Sequence, residues 1–308
     1  MKALILGCGY TGRCLARLLL SKAVAVNITN RKGLPIKGIP APCFAFCCAT
    51  TFERTPLAPE ALKEVTHVLS TIPPEHQGSD PVVACLMEDL ERAGLEWFGY
   101  LSTTGVYGDT QGAWVDESAP VNPQNERSRH RVAIESTFLN STLPSHIFRL
   151  PGIYGPGRSI LDRLRAGTAQ RVDKPGHVFS RIHVDDIVQT LWASMQQSQP
   201  KGIYNVSDDE PAEPSALVVE AAHLLGITPP DPIPFAQIQL SLMGASFWSE
   251  CRRVTNRKIK TELGVKLFYP SYREGLRAIL QEEQAIAQSQ ADPRDRGAET
   301  VPGSCARR

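Results

Sequence analysis

The chain has little charge imbalance, no long apolar run and no paired cysteine motif, and each lack removes a class of function. Among 308 residues, 33 lysines and arginines stand against 32 acidic residues. No net field gathers nucleic acid or an anionic membrane, so neither is expected as a partner and a ligand must be held by a local pocket. No stretch of about 18 apolar residues occurs. Met1-Lys2 leads directly into Ala3-Leu4-Ile5-Leu6, a short strand without a signal-peptide layout. The expectation is a soluble, cytoplasmic protein. The 8 cysteines include a Cys43, Cys47, Cys48 cluster, but no Cys-x-x-Cys pair or histidine set completes four ligands, so no metal site is expected. Phe44, Ala45 and Phe46 give that segment a strand pattern, and the cysteines read as reduced packing thiols.

Short apolar runs alternate with helical patterns through the first half, as in a parallel sheet covered by helices on both faces. Strands are expected at 3–6, 23–28, 43–47, 67–71, 97–102 and 146–150. Between the fourth and fifth, Asp80 is placed to cap a helix that starts at Pro81 and stops near Gly94, with Val82, Val83, Leu86, Leu90 and Ala93 on one face. Right-handed crossovers bring the carboxyl ends of these strands to one edge, where open α/β sheets bind ligands. Beyond residue 150, Pro151-Gly152, Gly155-Pro156-Gly157, Pro175-Gly176 and Pro229-Pro230-Asp231-Pro232 mark a loop-rich region. The organisation expected is an α/β, Rossmann-type doubly wound domain over 1–151 plus 180–206. A small discontinuous C-terminal substrate lobe follows over 152–179 plus 207–283, with a frayed helix and then a disordered tail over 284–308.

Gly7-Cys8-Gly9-Tyr10-Thr11-Gly12 follows the first strand at once and opens the helix containing Leu15, Leu18 and Leu19. The first glycine allows the tight turn, the second lets backbone approach a pyrophosphate, and the third permits close helix–sheet packing. The strand before and the helix after are the context in which this spacing signifies dinucleotide binding. At the end of the second strand, Thr29-Asn30-Arg31-Lys32 carries no carboxylate for the ribose 2′-hydroxyl of NAD. Arg31 suits a 2′-phosphate, so NADP is the expected cofactor, with NAD possible. Ser70 and Thr71, at the fourth strand's end, are expected beside the pyrophosphate or nicotinamide.

Several collinear motifs carry a resemblance. They are Gly7–Gly12, Leu101-Ser102-Thr103-Thr104-Gly105-Val106-Tyr107-Gly108, Arg149–Arg158, Arg181–Asp186 and Tyr204–Ser207. Together they resemble the extended, atypical short-chain dehydrogenase/reductases of the epimerase/dehydratase-like type. The resemblance implies that Thr103 orients a substrate oxygen, flanked by Ser102 and Thr104. It also implies a Tyr-x-x-x-Lys pair on the next helix, with lysine lowering the tyrosine's pKa and bonding the nicotinamide ribose. This chain has Arg127 and Arg131 at those places. The i,i+4 spacing keeps both on one helix face, but guanidinium, with a pKa above about 12, neither gives nor takes a proton near neutrality. Arg131 is expected at ribose or phosphate, and Arg127 near substrate.

Tyr107, His130 and His183 are the groups available to replace the lost acid, and His183, beside two aspartates, is of a type that titrates near neutrality. Tyr154 is expected as a pocket wall. Arg149, Arg158 and Arg181 suit either an anionic substrate group, Arg158 foremost, or ion pairs to Asp162, Asp185 or Asp186. The functional expectation is an NAD(P)-dependent oxidoreductase acting on a small carbonyl, alcohol or sugar-nucleotide-like substrate. The alternative is a non-catalytic NADP(H)-binding sensor or regulatory protein. The resemblance further implies a homodimer built through the helices after the fourth and fifth strands.

Overall fold

Short, almost wholly buried strands followed by helices wind into a seven-stranded parallel sheet in the computed structural model, which describes residues 1–48, 52–197 and 201–291. Its strands are β1 (Lys2–Leu6), β2 (Ala25–Asn30), β3 (Cys43–Ala45), β4 (His67–Ser70), β5 (Trp97–Thr103), β7 (Ser145–Leu150) and β11 (Gly202–Asn205). They lie in the order β11-β7-β5-β4-β1-β2-β3. Three shorter parallel pairs sit outside it: β6 (Trp114–Val115) with β13 (Arg253–Val254), β8 (Gly152–Tyr154) with β10 (Arg181–His183), and β9 (Arg171–Asp173) with β12 (Pro232–Pro234). The expected Rossmann-type α/β fold is present.

Alternation along β1 shows why the sheet needs two helical layers. Ala3 and Ile5 pack with Leu15 and Leu19 of α1 (Tyr10–Ser21) and with Ile187 and Leu191 of α5 (Val184–Met195). Leu4 and Leu6 face the opposite way, onto Leu86 and Leu90 of α2 (Pro81–Arg92) and Ile134 and Phe138 of α3 (Glu126–Asn140). Each such fully buried leucine or isoleucine contributes roughly 1.5–3 kcal/mol relative to exposure. A third apolar cluster joins α4 (Ile160–Arg165), α6 (Pro214–Leu224) and α9 (Tyr272–Ala291) around Tyr154, Leu161, Ala221 and Leu276. The chain also forms α7 (Leu242–Trp248) and α8 (Arg257–Glu262).

Asp80 caps α2 as expected, its Oδ1 accepting from the Val82 and Val83 amides at 2.8 and 3.1 Å. Elsewhere the boundaries shift. The second strand starts at Ala25 rather than residue 23, because Ala23 has φ +57° and belongs to the turn that ends α1. The sheet gains β11, whose short run was not read as a strand. The 181–183 segment pairs with β8 rather than with the main sheet. Helix α9 continues through Ala291, past the start of the expected tail, and residues 292–308 lie outside the described residues. Cys48 and Cys85 are brought together, with Cα atoms 6.5 Å apart. The fold thus brings the end of the β3 segment onto α2, two elements whose proximity the sequence does not show. Among the described residues no helix is long and apolar enough to cross a membrane.

Candidate functional site

The glycine-rich turn leaves an open anion cradle. Gly7 has φ +79°, and a Cβ there would lie 2.6 Å from Ile72 Cγ1. A Cβ on Gly12 would meet Ile5 Cγ2 at 3.1 Å, whereas one on Gly9 would meet only Gly7 O, at 3.9 Å. Thus Gly7 is required by its backbone and packing and Gly12 is tightly packed, while the space above Gly9 is free for a ligand. Gly9 caps α1 without a side-chain hydrogen bond, and the first turn carries no acidic residue. The opening amides of α1, from Tyr10, Thr11 and Gly12, are therefore available to phosphate. Thr29 steadies the turn by accepting the Gly7 amide at 2.9 Å, and Thr71 does so by donating its hydroxyl to Gly7 O. Ser70 is fully buried at the strand end.

At the end of β2, Asn30 is engaged in shaping the turn. Its Nδ2 donates to Leu34 O at 2.7 Å, and its Oδ1 accepts from the Lys32 and Leu34 amides at 3.0 and 3.2 Å. Asn30, expected at the cofactor, thus has its side chain engaged in building the loop. Arg31 is exposed, with its guanidinium 4.4 Å from the centre of the Phe52 ring.

At the end of β5, Thr103 Oγ1 accepts from the Gly105 amide at 3.1 Å, and its own hydroxyl proton has no acceptor among the described residues. Thr104 is buried beside it. Beneath them lies a connected polar network. Ser102 Oγ donates to Glu135 of α3, and Glu135 pairs with Arg149 of β7 at 2.7 Å. Arg149 Nη1 donates to Tyr107 Oη at 2.9 Å, and Tyr107 donates in turn to Asn205 Oδ1 at 2.8 Å. Tyr107 is 1% exposed, and burial raises its pKa. This corrects Tyr107 from a substitute acid to a member of the scaffold. Ser102 is likewise held inside the network rather than presented to a substrate.

Helix α3, capped by Asn125 Oδ1 accepting from the Ser128 amide at 2.8 Å, carries the two arginines that stand for the missing pair. Arg127 is exposed. Arg131 is buried, with Nη1 donating at 2.7 Å to both Tyr100 Oη and Leu101 O. It thus ties α3 to the strand that bears Thr103. His130 stands 4.0 Å from Glu126 on the same helix.

Tyr10, Arg158 and His183 converge on the entrance to the glycine turn. Tyr10 Oη donates to Pro156 O at 3.0 Å, and the exposed Arg158 guanidinium lies 5.6 Å from the Tyr10 ring centre. His183 caps α5, its Nδ1 accepting from the Asp185 amide at 3.2 Å, so the neutral ring carries its proton on Nε2. Nε2 is buried without a hydrogen-bond partner among the described residues, and burial pulls the pKa down to about 4. This corrects the expectation of titration near neutrality. Tyr154 is buried edge-on against His183, with ring centres 5.1 Å apart.

The structure therefore gathers two groups at one sheet edge. Gly7–Gly12, Thr71 and Arg158 surround the anion cradle, and Thr103 stands above the Ser102, Glu135, Arg149 and Tyr107 network. Sequence reasoning missed Glu135 and Asn205. A signal existed: Arg149 lies within a strand buried at every residue, and such a cation demands a buried anion.

Comparisons with known proteins place these features in a family. The family model "NAD dependent epimerase/dehydratase family" matches residues 3–207. A 3-diazoavenalumate denitrifying reductase from a Streptomyces species is 30% identical over an alignment of 177 residues that covers 53% of this chain and 58% of that protein. The chain thus matches little more than half the length of this curated relative. The structure of a functionally unknown conserved protein from Silicibacter pomeroyi DSS is 42% identical, with a TM-score of 0.82, covering 92% of this chain and 99% of that one. MoeE5, solved with UDP-glucuronic acid and NAD, is 19% identical with a TM-score of 0.74, covering 93% and 100%. At that identity the likeness is one of fold.

Proposed function

Because the chain belongs to the NAD dependent epimerase/dehydratase family, we propose that it is an NADP(H)-dependent oxidoreductase that moves hydride without an acid of its own at the reacting atom. The observation that carries this reading is the state of α3: Arg127 is exposed, and Arg131 is buried and bonded to Tyr100 and Leu101. Neither can serve as a proton donor near neutrality. The open space above Gly9 and the uncapped start of α1 fit a dinucleotide pyrophosphate, and Arg31 fits a 2′-phosphate. A bound nicotinamide would supply the hydride chemistry.

The chain's own residues then have restricted tasks. Thr103, whose oxygen already accepts from Gly105, donates its proton to hold a substrate acceptor atom. The Glu135–Arg149 pair fixes β7 against α3, and Glu135 also accepts from Ser102 of β5, so that the Thr103 hydroxyl is preorganised. Without a protein acid, two kinds of acceptor remain suitable. A carbonyl or sugar-nucleotide-like ketone takes hydride at carbon, and its alkoxide then takes one proton from water. A diazonium carbon takes hydride and releases dinitrogen, R–N₂⁺ plus hydride giving R–H and N₂, with no proton needed. The Streptomyces relative is named for a diazo substrate and for loss of nitrogen, which favours including the second kind.

The test is stopped-flow oxidation of NADPH with small ketones, sugar-nucleotide ketones and aryl diazonium acids, using 4-deuterated cofactor. Turnover with deuterium at the substrate carbon is expected. For a carbonyl, the rate should lack the ionisation step of a catalytic tyrosine. A second reading, a non-catalytic NADP(H) sensor, is favoured by the engagement of Tyr107 and Arg131 in the scaffold. Tight cofactor binding with no oxidation by any member of the panel would establish that reading and overturn the first.

A further inference from the structure

The β8 and β10 strands carry a second, separate polar feature. Along both, alternate residues face opposite ways. Ile153 and Ile182 join the core beneath the main sheet, while Tyr154 and Arg181 turn outward to α4, α6 and α9. There a cavity of about 170 Å³ is lined by Arg181, Tyr154, Ile160, Leu217 and Leu276, among others. At about 30 Å³ per water in the liquid, it has room for roughly five waters.

Arg181 is only 7% exposed. Its Nη1 donates to Phe179 O at 2.9 Å and Ala212 O at 3.1 Å, and no hydrogen bond among the described residues uses its Nε or Nη2. The Tyr272 ring lies 5.9 Å from the guanidinium carbon, within cation–π reach. Asp208 and Glu210 lie near the cation. Arg181 forms no ion pair among the described residues, and Glu210 is held by Arg273. Asp208 is 1% exposed, with one carboxylate oxygen accepting the Glu210 amide at 3.3 Å and the other without a partner among the described residues. Burial raises the Asp208 pKa well above the ordinary carboxylate range, and nearby Arg181 opposes that rise. A buried cation with no directly bonded carboxylate is incompletely compensated, and buried charges are normally paired.

We propose that this cavity is a binding site for a short aliphatic carboxylate, with the carboxylate on the free edge of Arg181 and the alkyl tail among Ile160, Leu217 and Leu276. The fork of an arginine matches a carboxylate in two parallel hydrogen bonds, and the surrounding walls are apolar. The volume suits about six to eight heavy atoms. An ammonium head would meet like charge, and a neutral head would leave the guanidinium incompletely compensated. The site needs no nicotinamide cofactor, so its test stands apart from the redox reading.

The experiment uses the full-length protein without cofactor and 4-methylpentanoate as probe, with 4-methylpentanol and 4-methylpentylamine as matched heads. Binding is followed by calorimetry and by thermal shift, since a ligand of the native state raises the melting temperature by linkage. The acid should bind, and the alcohol and amine should bind at least about 10-fold more weakly, a difference of about 1.4 kcal/mol. Arg181→Met, which preserves most of the packing stem, should abolish acid binding. Leu217→Phe should also abolish it by filling the cavity while leaving the guanidinium and the surrounding fold in place, so it decides the question if Arg181→Met fails to fold. Equal binding of acid and alcohol, absence of acid binding to the natural protein, or full binding by Leu217→Phe would each overturn the proposal.

Discussion

Removing one member of the Glu135–Arg149 pair should damage the fold far more than removing both. The two side chains are 5% and 4% exposed and meet at 2.7 Å. Arg149 contacts Glu135 through both Nε and Nη2, and its Nη1 reaches Tyr107. Glu135→Leu leaves a guanidinium buried against a phenol, and Arg149→Met leaves a carboxylate with only the Ser102 hydroxyl. Breaking a buried pair from one side costs about 3–5 kcal/mol, whereas replacing both partners by apolar residues of similar volume is often near neutral. At roughly 2–4 °C per kcal/mol, each single substitution should lower the melting temperature by about 6–20 °C. The double variant Glu135→Leu with Arg149→Met should recover most of that loss, giving a coupling energy of a few kcal/mol in a double-mutant cycle followed by urea unfolding. Single losses below about 1 kcal/mol, or a double variant equal to the sum of the singles, would refute the assignment of this network as the support of the β5 end.

Arg31→Ala should weaken NADP binding about 10- to 100-fold, the equivalent of a charge-assisted hydrogen bond, with NAD little changed; equal loss in fluorescence titrations of both would remove the 2′-phosphate contact. Gly9→Ala should leave the melting temperature near that of the natural protein, because its Cβ enters open space, yet impair dinucleotide binding by at least about 10-fold. Gly7→Ala, at φ +79° and against Ile72, should destabilise the protein itself, and isothermal titration beside thermal melts separates the two cases. Burial holds His183 at about 4, below the ordinary histidine value of 6.5. The unfolded chain therefore takes up the proton first, and stability is lost as pH falls from about 6.5 towards 4. His183→Asn keeps an acceptor for the Asp185 amide and removes the titration, so its melting curve against pH should be flatter over that window. His177, also lowered to about 4, retains part of the acid limb, while Asp186, raised to about 6, acts in the opposite direction, its share of stability lost as pH rises towards 6. An unchanged slope in His183→Asn would contradict the assignment.

Local chemistry was legible in the sequence wherever it was decided by neighbours along the chain. Asp80 before Pro81 specifies a cap, and Gly7–Gly12 specifies a turn between strand and helix, because spacing alone sets those geometries. What was hidden depends on elements far apart in sequence. Asn30 reads as a ligand until the turn to Leu34 closes around it. Tyr107 reads as an acid until Arg149 and Asn205 arrive from β7 and the end of β11. Cys48 and Cys85 come together only when the end of the β3 segment packs on α2. Ala23 shows the limit even locally: an apolar residue before a strand was read as strand, but its left-handed backbone ends a helix.

The β8–β10 pair has a consequence for how such a protein diverges. Its two strands are shared property: one row of side chains packs on the core of the sheet, and the other row, with Ile153 at its edge, lines the outer cavity. A one-residue insertion in either strand would exchange the two rows and ruin both sides at once. New ligands must therefore be acquired by exchanging side chains in place, at Tyr154 or Arg181, while Ile153 and Ile182 hold the register. The ribbon acts as a fixed rail: chemistry can be refitted along its outer edge without the sheet having to learn a new alignment.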